Sequence, residues 1–249
     1  TLSIKDIEKT IVSGNYILIL PSVGVGNVGQ LSIDLLIYNL NLSKTGSMWN
    51  SMFLPISGLD PYNKDSSSIC TAADFYLATS CKIICLQLRS PYVDNSNDFF
   101  EELAQFVQNR KISKVIVLTS SYDYECANGI DSTLRYLTSD VSLLNNEQLL
   151  ESLAWRKHVK GTSIESPECS RIPGGGFASN LYEHLKSEDI VCTILFCYCS
   201  EGNNVSDALL LYKGLNKWLN LLNDNAINDV KYPPSWEYFF GNPPSTELY

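Results

Sequence analysis

The sequence is poor in charge and contains very little histidine. Only 18% of its 249 residues are charged, and 27 acidic residues against 18 Lys and Arg give a formal net charge of −9. A general nucleic-acid binder needs a basic face to displace counterions from phosphate, and electrostatic docking on anionic lipid needs basic clusters. The acidic balance therefore argues against both classes, and we expect no nucleic-acid partner and no membrane partner.

The eight cysteines lack the pattern of a metal site or a disulfide framework. There is no CxxC pair, and the only histidines are His158 and His184, whereas structural zinc needs paired ligands at short spacings. Most cysteines lie inside apolar runs such as Cys81–Cys85 and Cys192–Cys199, where a thiol packs as a small hydrophobe. We expect no metal, reduced thiols, and a cytoplasmic and nuclear localisation.

Long apolar runs and common catalytic motifs are also missing. No run reaches the roughly 18–20 apolar residues of a membrane-spanning helix. The sequence has neither a G-x-S-x-G elbow nor a Walker lysine motif, and nothing nominates a base for Ser120 or Ser121. Two histidines supply little acid–base chemistry near neutral pH. We therefore expect no catalytic residue and no cofactor.

The sequence does contain an alternation of apolar strands and helices. Three continuous apolar runs are typical of strands buried on both faces of a sheet: 16–21, 114–120 and 190–199. Segments with helical spacing of apolar residues lie between or after these runs, at 30–40, 98–109 and 205–222. The pattern predicts an α/β fold, a single three-layer domain whose mostly parallel sheet carries helices on both faces.

Composition divides the chain into a domain and a tail. Residues 1–223 are predicted to form the α/β domain, within which residues 122–170 form a less regular insertion. Residues 224–249 carry two Pro-Pro pairs and several aromatic residues. Because proline fixes φ and removes a backbone donor, this tail is predicted to be extended and not helical. The aromatic stretch Trp236–Phe240 is expected to pack on the domain.

The first glycine cluster, Gly24, Gly26 and Gly29, matches G-x-G-x-x-G between a strand and a helix. In a dinucleotide-dependent enzyme such glycines let the backbone approach a pyrophosphate at the helix N-terminus. The acidic residue expected about 20 residues further on is missing, because residues 48–55 contain neither Asp nor Glu. We favour a structural role, a tight strand-to-helix turn with close packing, and keep the dinucleotide-dependent enzyme as the alternative.

A second glycine cluster, Gly174, Gly175 and Gly176, follows Arg171. Its backbone N–H groups can form an anion-binding nest beside Arg171, or the loop can pack closely against the ends of the sheet, which we favour. Glu201, in the turn after the last strand, is a candidate general base, and in the favoured interpretation a Glu or Asn of this turn caps the next helix. These residues keep a hydrolase or phosphorylase-like enzyme as a further alternative.

Several segments together resemble the PAC2 family of proteasome assembly chaperones, in the family's order along the chain. The segments are Leu20–Asp34, Leu86–Ser90, Lys114–Ser121, Arg171–Gly176, Ser200–Ala208 and Pro234–Trp236. No single segment is specific, but the set covers most of the chain outside residues 122–170.

This resemblance implies a chaperone that is not an enzyme. A family member pairs with proteasome assembly chaperone 1 as a heterodimer, binds the outer face of the proteasome α-subunit ring, promotes core-particle assembly and blocks premature docking of activators. Some members insert a C-terminal hydrophobic–Tyr–any-residue motif between α subunits, and Leu248 and Tyr249 match its first two positions. From the residues alone, docking of Leu248 and Tyr249 in a lysine-containing pocket and packing on their own domain are equally open.

Overall fold

A computed structural model describes residues 14–93, 97–126, 133–158 and 171–238 of the chain. Its strands are β1 (Ile17–Pro21), β2 (Ser43–Ser47), β3 (Ser57–Leu59), β4 (Ile69–Thr71), β5 (Ala73–Ala78), β6 (Ile83–Leu88), β7 (Lys114–Tyr122), β8 (Leu134–Thr138), β9 (Arg156–Lys157) and β10 (Cys192–Cys199). Its helices are α1 (Val28–Asn39), α2 (Asn97–Asn109), α3 (Val141–Leu144), α4 (Glu147–Ser152), α5 (Gly176–Ser187), α6 (Val205–Leu219) and α7 (Asp224–Asn228).

Eight of these strands form one sheet in the order β2-β5-β6-β1-β7-β10-β8-β9, and β3 pairs with β4 in a separate hairpin. The four central strands β6, β1, β7 and β10 are parallel, with Ile17 of β1 beside Ile83 on one side and Lys114 on the other. These strands are apolar along their length because both faces of a parallel sheet are covered. Antiparallel strands β5 and β8 flank the centre. The predicted single α/β domain with a mostly parallel sheet is confirmed.

Helices cover both faces of the sheet, as predicted, and each face has its own apolar core. α2 and α5 pack on one face, and α1 and α6 on the other. α2 is amphipathic, with Phe99, Leu103 and Phe106 buried and Glu101 and Glu102 exposed. α1 is apolar on most sides because it lies between the sheet and α6. Among the described residues, no helix is long and apolar enough to cross a membrane.

Residues 122–170 are more regular than the sequence pattern predicted. β8 runs antiparallel to β10, with Leu134 beside Cys197, and β9 extends this edge of the sheet. Trp155, just before β9, is fully buried. The described part of the segment therefore completes one edge of the sheet and contributes to the core, where a less regular insertion was expected.

The described part of the tail is not extended, contrary to the prediction. Its helix α7 begins after Asn223, whose side chain accepts a hydrogen bond from the backbone N–H of Ala226. A short 3-10 helix runs from Pro234 to Tyr238. Proline is tolerated at its first position because the first N–H of a helix has no partner within the helix. Trp236 packs against the core that contains α1 and α6. Outside the described residues lie Phe239, Phe240, Leu248 and Tyr249.

Candidate functional site

Three loops that the sequence singled out meet where the parallel strands end. The loop after β1 holds Gly24 and Gly26, the loop before α5 holds residues 171–175, and the loop after β10 holds residues 200–204. We call this place the glycine-loop edge. α/β folds hold their ligands at the carboxyl ends of parallel strands. An open cleft at the glycine-loop edge would therefore indicate a ligand site, whereas loops packed against one another would indicate a structural role.

The first glycine loop packs directly on β7. A Cβ at Gly24 would lie 2.8 Å from Oγ1 of Thr119, and a Cβ at Gly29 would lie 2.3 Å from the carbonyl oxygen of Leu118. Ser120, on the same strand, donates its hydroxyl proton to the carbonyl oxygen of Val25 at 2.6 Å. The glycines therefore let the loop and the first turn of α1 approach the strand more closely than any other residue would allow.

Asn204 fills the space in front of Gly26. Gly26 has φ +61°, and a Cβ there would lie 2.3 Å from Oδ1 of Asn204. Asn204 is buried, and its Nδ2 donates to the carbonyl oxygen of Ser200 at 2.7 Å and to Oδ2 of Asp207 at 3.1 Å. A fixed side chain thus sits against the loop that a pyrophosphate would have to approach, so the geometry does not support the dinucleotide-dependent alternative.

The second glycine loop closes over the first. Gly174 has φ +73°, a conformation that favours glycine, and a Cβ there would lie 3.0 Å from the ring of Tyr122 and 3.2 Å from Val25. Ser121 donates its hydroxyl proton to the carbonyl oxygen of Pro173 at 2.8 Å. The two glycine loops therefore contact each other and the end of β7.

Gly175 and Gly176 have different surroundings. The backbone N–H of Gly175 donates to the carbonyl oxygen of Ile172 at 2.9 Å, so it is already used within the loop. Gly176 is the first residue of α5, and a Cβ there would meet nothing within 4 Å. With the Gly175 amide engaged and Arg171 exposed, the loop does not converge on an anion as a nest would.

The polar side chains of the loop after β10 bind within the protein. Ser200 donates its hydroxyl proton to Oδ2 of Asp123 at 2.5 Å, while Glu201 is exposed. At the start of α6 the side chain of Asn203 accepts a hydrogen bond from the backbone N–H of Val205 at 3.2 Å, so Asn203 and not Glu201 serves this helix end. In the part of the chain that the structure describes, no cluster of His, Cys, Asp and Glu could hold a metal ion. The hydrolase-like alternative gains no support from this arrangement.

The buried thiols near the centre of the sheet are unreactive. Burial raises the pKa of Cys85 and of Cys192, so both remain protonated near neutral pH, and the thiol is a poor nucleophile. The seven described cysteines are all free. The buried ones, Cys85, Cys192, Cys197 and Cys199, pack in the two apolar cores, which is the role that the sequence predicted for most of the cysteines.

His158 makes the stability of this region depend on pH. Its Nε2 lies 3.3 Å from the carbonyl oxygen of Arg171, and its ring packs edge-on against Phe196 at 5.3 Å. Burial, together with the positive charge of Arg135, lowers the pKa of His158 below the ordinary value of about 6.5, although the carbonyl of Arg171 opposes the shift. The unfolded chain therefore binds this proton more readily than the folded one.

It follows that the contribution of His158 to folding is fully present above a pH of about 6.5 and is lost as the pH falls toward the folded pKa. Between the folded pKa of His158 and a pH of about 6.5, we expect the free energy of unfolding, measured with urea, to rise slightly with pH. The His158→Gln variant should lose that rise. NMR titration of the ring supplies the direct check. A folded pKa at or above that of an unstructured histidine would contradict the assignment.

The chain matches a known protein family over most of its length. A family model described as the PAC2 family matches residues 18–223. This chain belongs to the PAC2 family. It is 35% identical to proteasome assembly chaperone 2 of Mus musculus over 244 residues, which cover 92% of each chain. The protein of the same name from Nematostella vectensis is 30% identical over 229 residues, which cover 85% of this chain and 92% of the relative.

Solved structures share the PAC2 fold at lower identity. PbaA of Pyrococcus furiosus, described as an archaeal homolog of proteasome-assembly chaperone, has a TM-score of 0.64 and 18% identity, with 88% of this chain and 84% of PbaA covered. PbaB of the same organism, described as an archaeal proteasome activator, has a TM-score of 0.60 and 18% identity, with 86% of this chain and 88% of PbaB covered. At these identities the likeness shows the fold alone.

This PAC2 family chain also contains a buried polar cluster that the sequence analysis missed. Oδ1 of Asp34 on α1 accepts hydrogen bonds from the hydroxyl of Tyr62 at 2.7 Å, Nε2 of Gln87 at 2.7 Å and Nη2 of Arg89 at 2.8 Å. Burial, and then the negative charge of Asp34, raise the pKa of Tyr62, so its phenol stays protonated and donates. The available signal was a lone Asp inside the apolar run Leu31–Ile37, followed much later by an Arg directly after β6.

A second buried carboxylate lies on β5. Asp74 accepts hydrogen bonds from the hydroxyls of Ser47 at 2.6 Å and Thr71 at 2.7 Å, and forms an ion pair with Lys44 at 2.9 Å. Thr71, which donates to Asp74, is the last residue of β4, at the open end of the hairpin. Tyr62, which donates to Asp34, lies in the loop that connects β3 to β4. The two buried carboxylates therefore hold the two ends of the β3–β4 hairpin.

Proposed function

We propose that this chain is a proteasome assembly chaperone subunit. It pairs with proteasome assembly chaperone 1, binds the outer face of the α-subunit ring, promotes core-particle assembly and blocks premature docking of activators. The observation that carries the proposal is the 35% identity to proteasome assembly chaperone 2 over 92% of both chains. At the glycine-loop edge the polar side chains hydrogen-bond to the loops of the domain itself. This arrangement supports a binding role for the protein over a catalytic one.

In this proposal the C-terminal residues Leu248 and Tyr249 insert into a pocket between α subunits. An aliphatic and an aromatic side chain supply a large apolar contact area, and such anchors dominate many interfaces. Pro243-Pro244 precedes them, and because proline restricts the backbone conformations open to a chain, it lowers the entropy lost on binding. The chaperone acts in the cytoplasm and the nucleus, a setting that suits its seven free described thiols.

The direct test is native mass spectrometry of the tagged chain recovered from its own cells in gentle salt. We expect a heterodimer with a second chaperone chain and heavier species that contain α subunits. Recovery of a lone chain or a homodimer, without α subunits, would overturn the proposal. A bound adduct of nucleotide mass would redirect attention to the glycine-loop edge.

Truncating the two C-terminal anchors should weaken attachment to the ring. We expect the double variant Leu248→Ala/Tyr249→Ala to bind immobilised core particles about tenfold more weakly, because each removed side chain is an interface anchor. Its melting temperature should match that of the unaltered chain. The control is Leu149→Ala, which shortens an exposed leucine on α4. Equal retention of the double variant and the control on core particles would rule out this use of the tail.

A further inference from the structure

The β3–β4 hairpin presents apolar side chains that nothing in the described structure covers. We call residues 56–71 the arm. Leu59 and Ile69 are directly opposite each other on its two strands, and their exposed fractions are 78% and 60%. Ile56, which precedes β3, is exposed as well. Cross-strand apolar pairs normally face a core, so this pair forms an apolar surface that points to a binding partner.

The arm is held in place by hydrogen bonds to two buried carboxylates. At one end the hydroxyl of Tyr62 donates to buried Asp34, and at the other the hydroxyl and N–H of Thr71 both donate to buried Asp74, at 2.7 and 2.8 Å. Lys44 also donates to the carbonyl oxygen of Ile69 at 2.7 Å. Burying a carboxylate carries a desolvation cost, which these hydrogen bonds offset. A segment fixed in this way loses little conformational entropy when a partner binds it.

The described end of the tail lies beside the arm. The backbone N–H of Ser235 donates to the carbonyl oxygen of Pro61 at 3.2 Å, and Lys64 forms an ion pair with Glu237. Pro61 is two residues from Leu59, so residues 235–237 lie close to the apolar pair. The 11 residues from 239 to 249 span at most about 36–40 Å when fully extended. Whatever receives Leu248 and Tyr249 must therefore lie within that distance of the arm.

We propose that the arm is a second contact with the same proteasome α-subunit surface that receives the tail. This inference rests on the proposed function, since it takes the α ring as the partner of Leu248 and Tyr249. Two contacts on one partner act together, because binding of the tail raises the effective concentration of the arm at its own site. A cavity of about 360 Å³ between the arm and the end of α1, lined in part by Pro61 and Ile69, gives room for a partner side chain.

The contact is apolar in character. The charged residues of the arm are Asp60, Lys64 and Asp65, so neither sign forms a continuous patch. The surface on the α subunit should accordingly present exposed aliphatic or aromatic side chains, and the contribution of the arm should persist in moderate salt, where exposed ion pairs weaken. The tail supplies reach and the arm fixes the orientation of the domain on the ring.

The test compares the full chain with the variant Leu59→Thr/Ile69→Thr on immobilised core particles. Threonine keeps the strand preference of the arm but removes apolar surface. We expect dissociation about five- to tenfold faster and an unchanged melting temperature, since both side chains are exposed. The matched control is Val141→Thr, which alters a side chain that is 66% exposed on α3, at the opposite edge of the sheet. Equal dissociation of the arm variant and the control would overturn the inference.

A photo-crosslinking residue at position 59 separates this inference from the function on which it rests. An adduct with an α subunit supports the arm as a ring contact. If the full chain binds core particles but position 59 links only to the chaperone partner, to a second copy of this chain or to nothing, the inference fails and the proposed function stands. If the full chain does not bind α-subunit complexes at all, the proposed function fails, and the arm proposal fails with it.

Discussion

Replacing Gly29 by alanine should destabilise the domain by about 3 kcal/mol or more, because overpacking against an unyielding neighbour exceeds the usual cost of 1–3 kcal/mol. The added Cβ would lie 2.3 Å from the carbonyl oxygen of Leu118. That oxygen belongs to a central strand, where it accepts a hydrogen bond from the backbone N–H of Ser22 at 2.8 Å. The added Cβ and the carbonyl oxygen of Leu118 are both fixed by the backbone, so α1 would have to move away from the sheet.

Gly176→Ala is the matched control from the second glycine loop. A Cβ there meets nothing within 4 Å, and the residue begins α5. Alanine is the better helix former, so we expect this variant to be neutral or up to about 1 kcal/mol more stable. Urea unfolding with a common slope measures both changes. If Gly29→Ala costs no more than Gly176→Ala, the close approach of α1 to β7 is not as described.

The sequence was most informative where one local rule decides the structure. β1, β7 and β10 are continuous apolar runs because they are buried on both faces, and this pattern cannot be confused with a surface strand. The glycine clusters were recognisable as points of close approach. Which atoms approach them could not be predicted, because Gly26 meets Asn204 only after the chain has passed through most of the sheet.

The errors arose where tertiary contacts decide the structure. β8 is only five residues long, and its alternation of Leu134, Arg135 and Tyr136 gives a weak pattern, yet pairing with β10 fixes it as a strand. The tail was predicted to be extended because of its prolines. Contacts such as Asn39 with the backbone of Lys231, at 2.8 and 2.9 Å, hold it against the domain instead.

The arm and its anchors were beyond prediction for a related reason. The partners of Asp34 lie 28 positions away at Tyr62 and 55 away at Arg89, and no spacing rule links such positions. A single Asp in an apolar helix indicates a buried partner, but it does not say which one. The exposure of Leu59 and Ile69 likewise depends on the hairpin standing apart from the main sheet.

Replacing Asp34 by alanine should be the other severe change, with an expected cost of about 3–5 kcal/mol, the usual penalty for leaving one member of a buried ion pair without its partner. Nη2 of Arg89, Nε2 of Gln87 and the hydroxyl of Tyr62 would all lose their common acceptor. The control Asp65→Ala changes an exposed carboxylate on the arm and should stay within about 0.5 kcal/mol of the unaltered chain.

The pair is best resolved by a double-mutant cycle with Arg89→Ala. Removing both charges avoids the unpaired guanidinium, so the double variant should be about 1–3 kcal/mol less destabilised than the sum of the single variants. Hydrogen exchange in the arm supplies an independent readout, because Asp34→Ala also removes the acceptor of the Tyr62 hydroxyl. If Asp34→Ala accelerates exchange at residues 57–71 more than it does in β7, relative to the unaltered chain, the anchor holds the arm. Additive effects with unchanged exchange in the arm would mean that Asp34 stabilises only the core, and that the apolar pair Leu59 and Ile69 is oriented by other contacts.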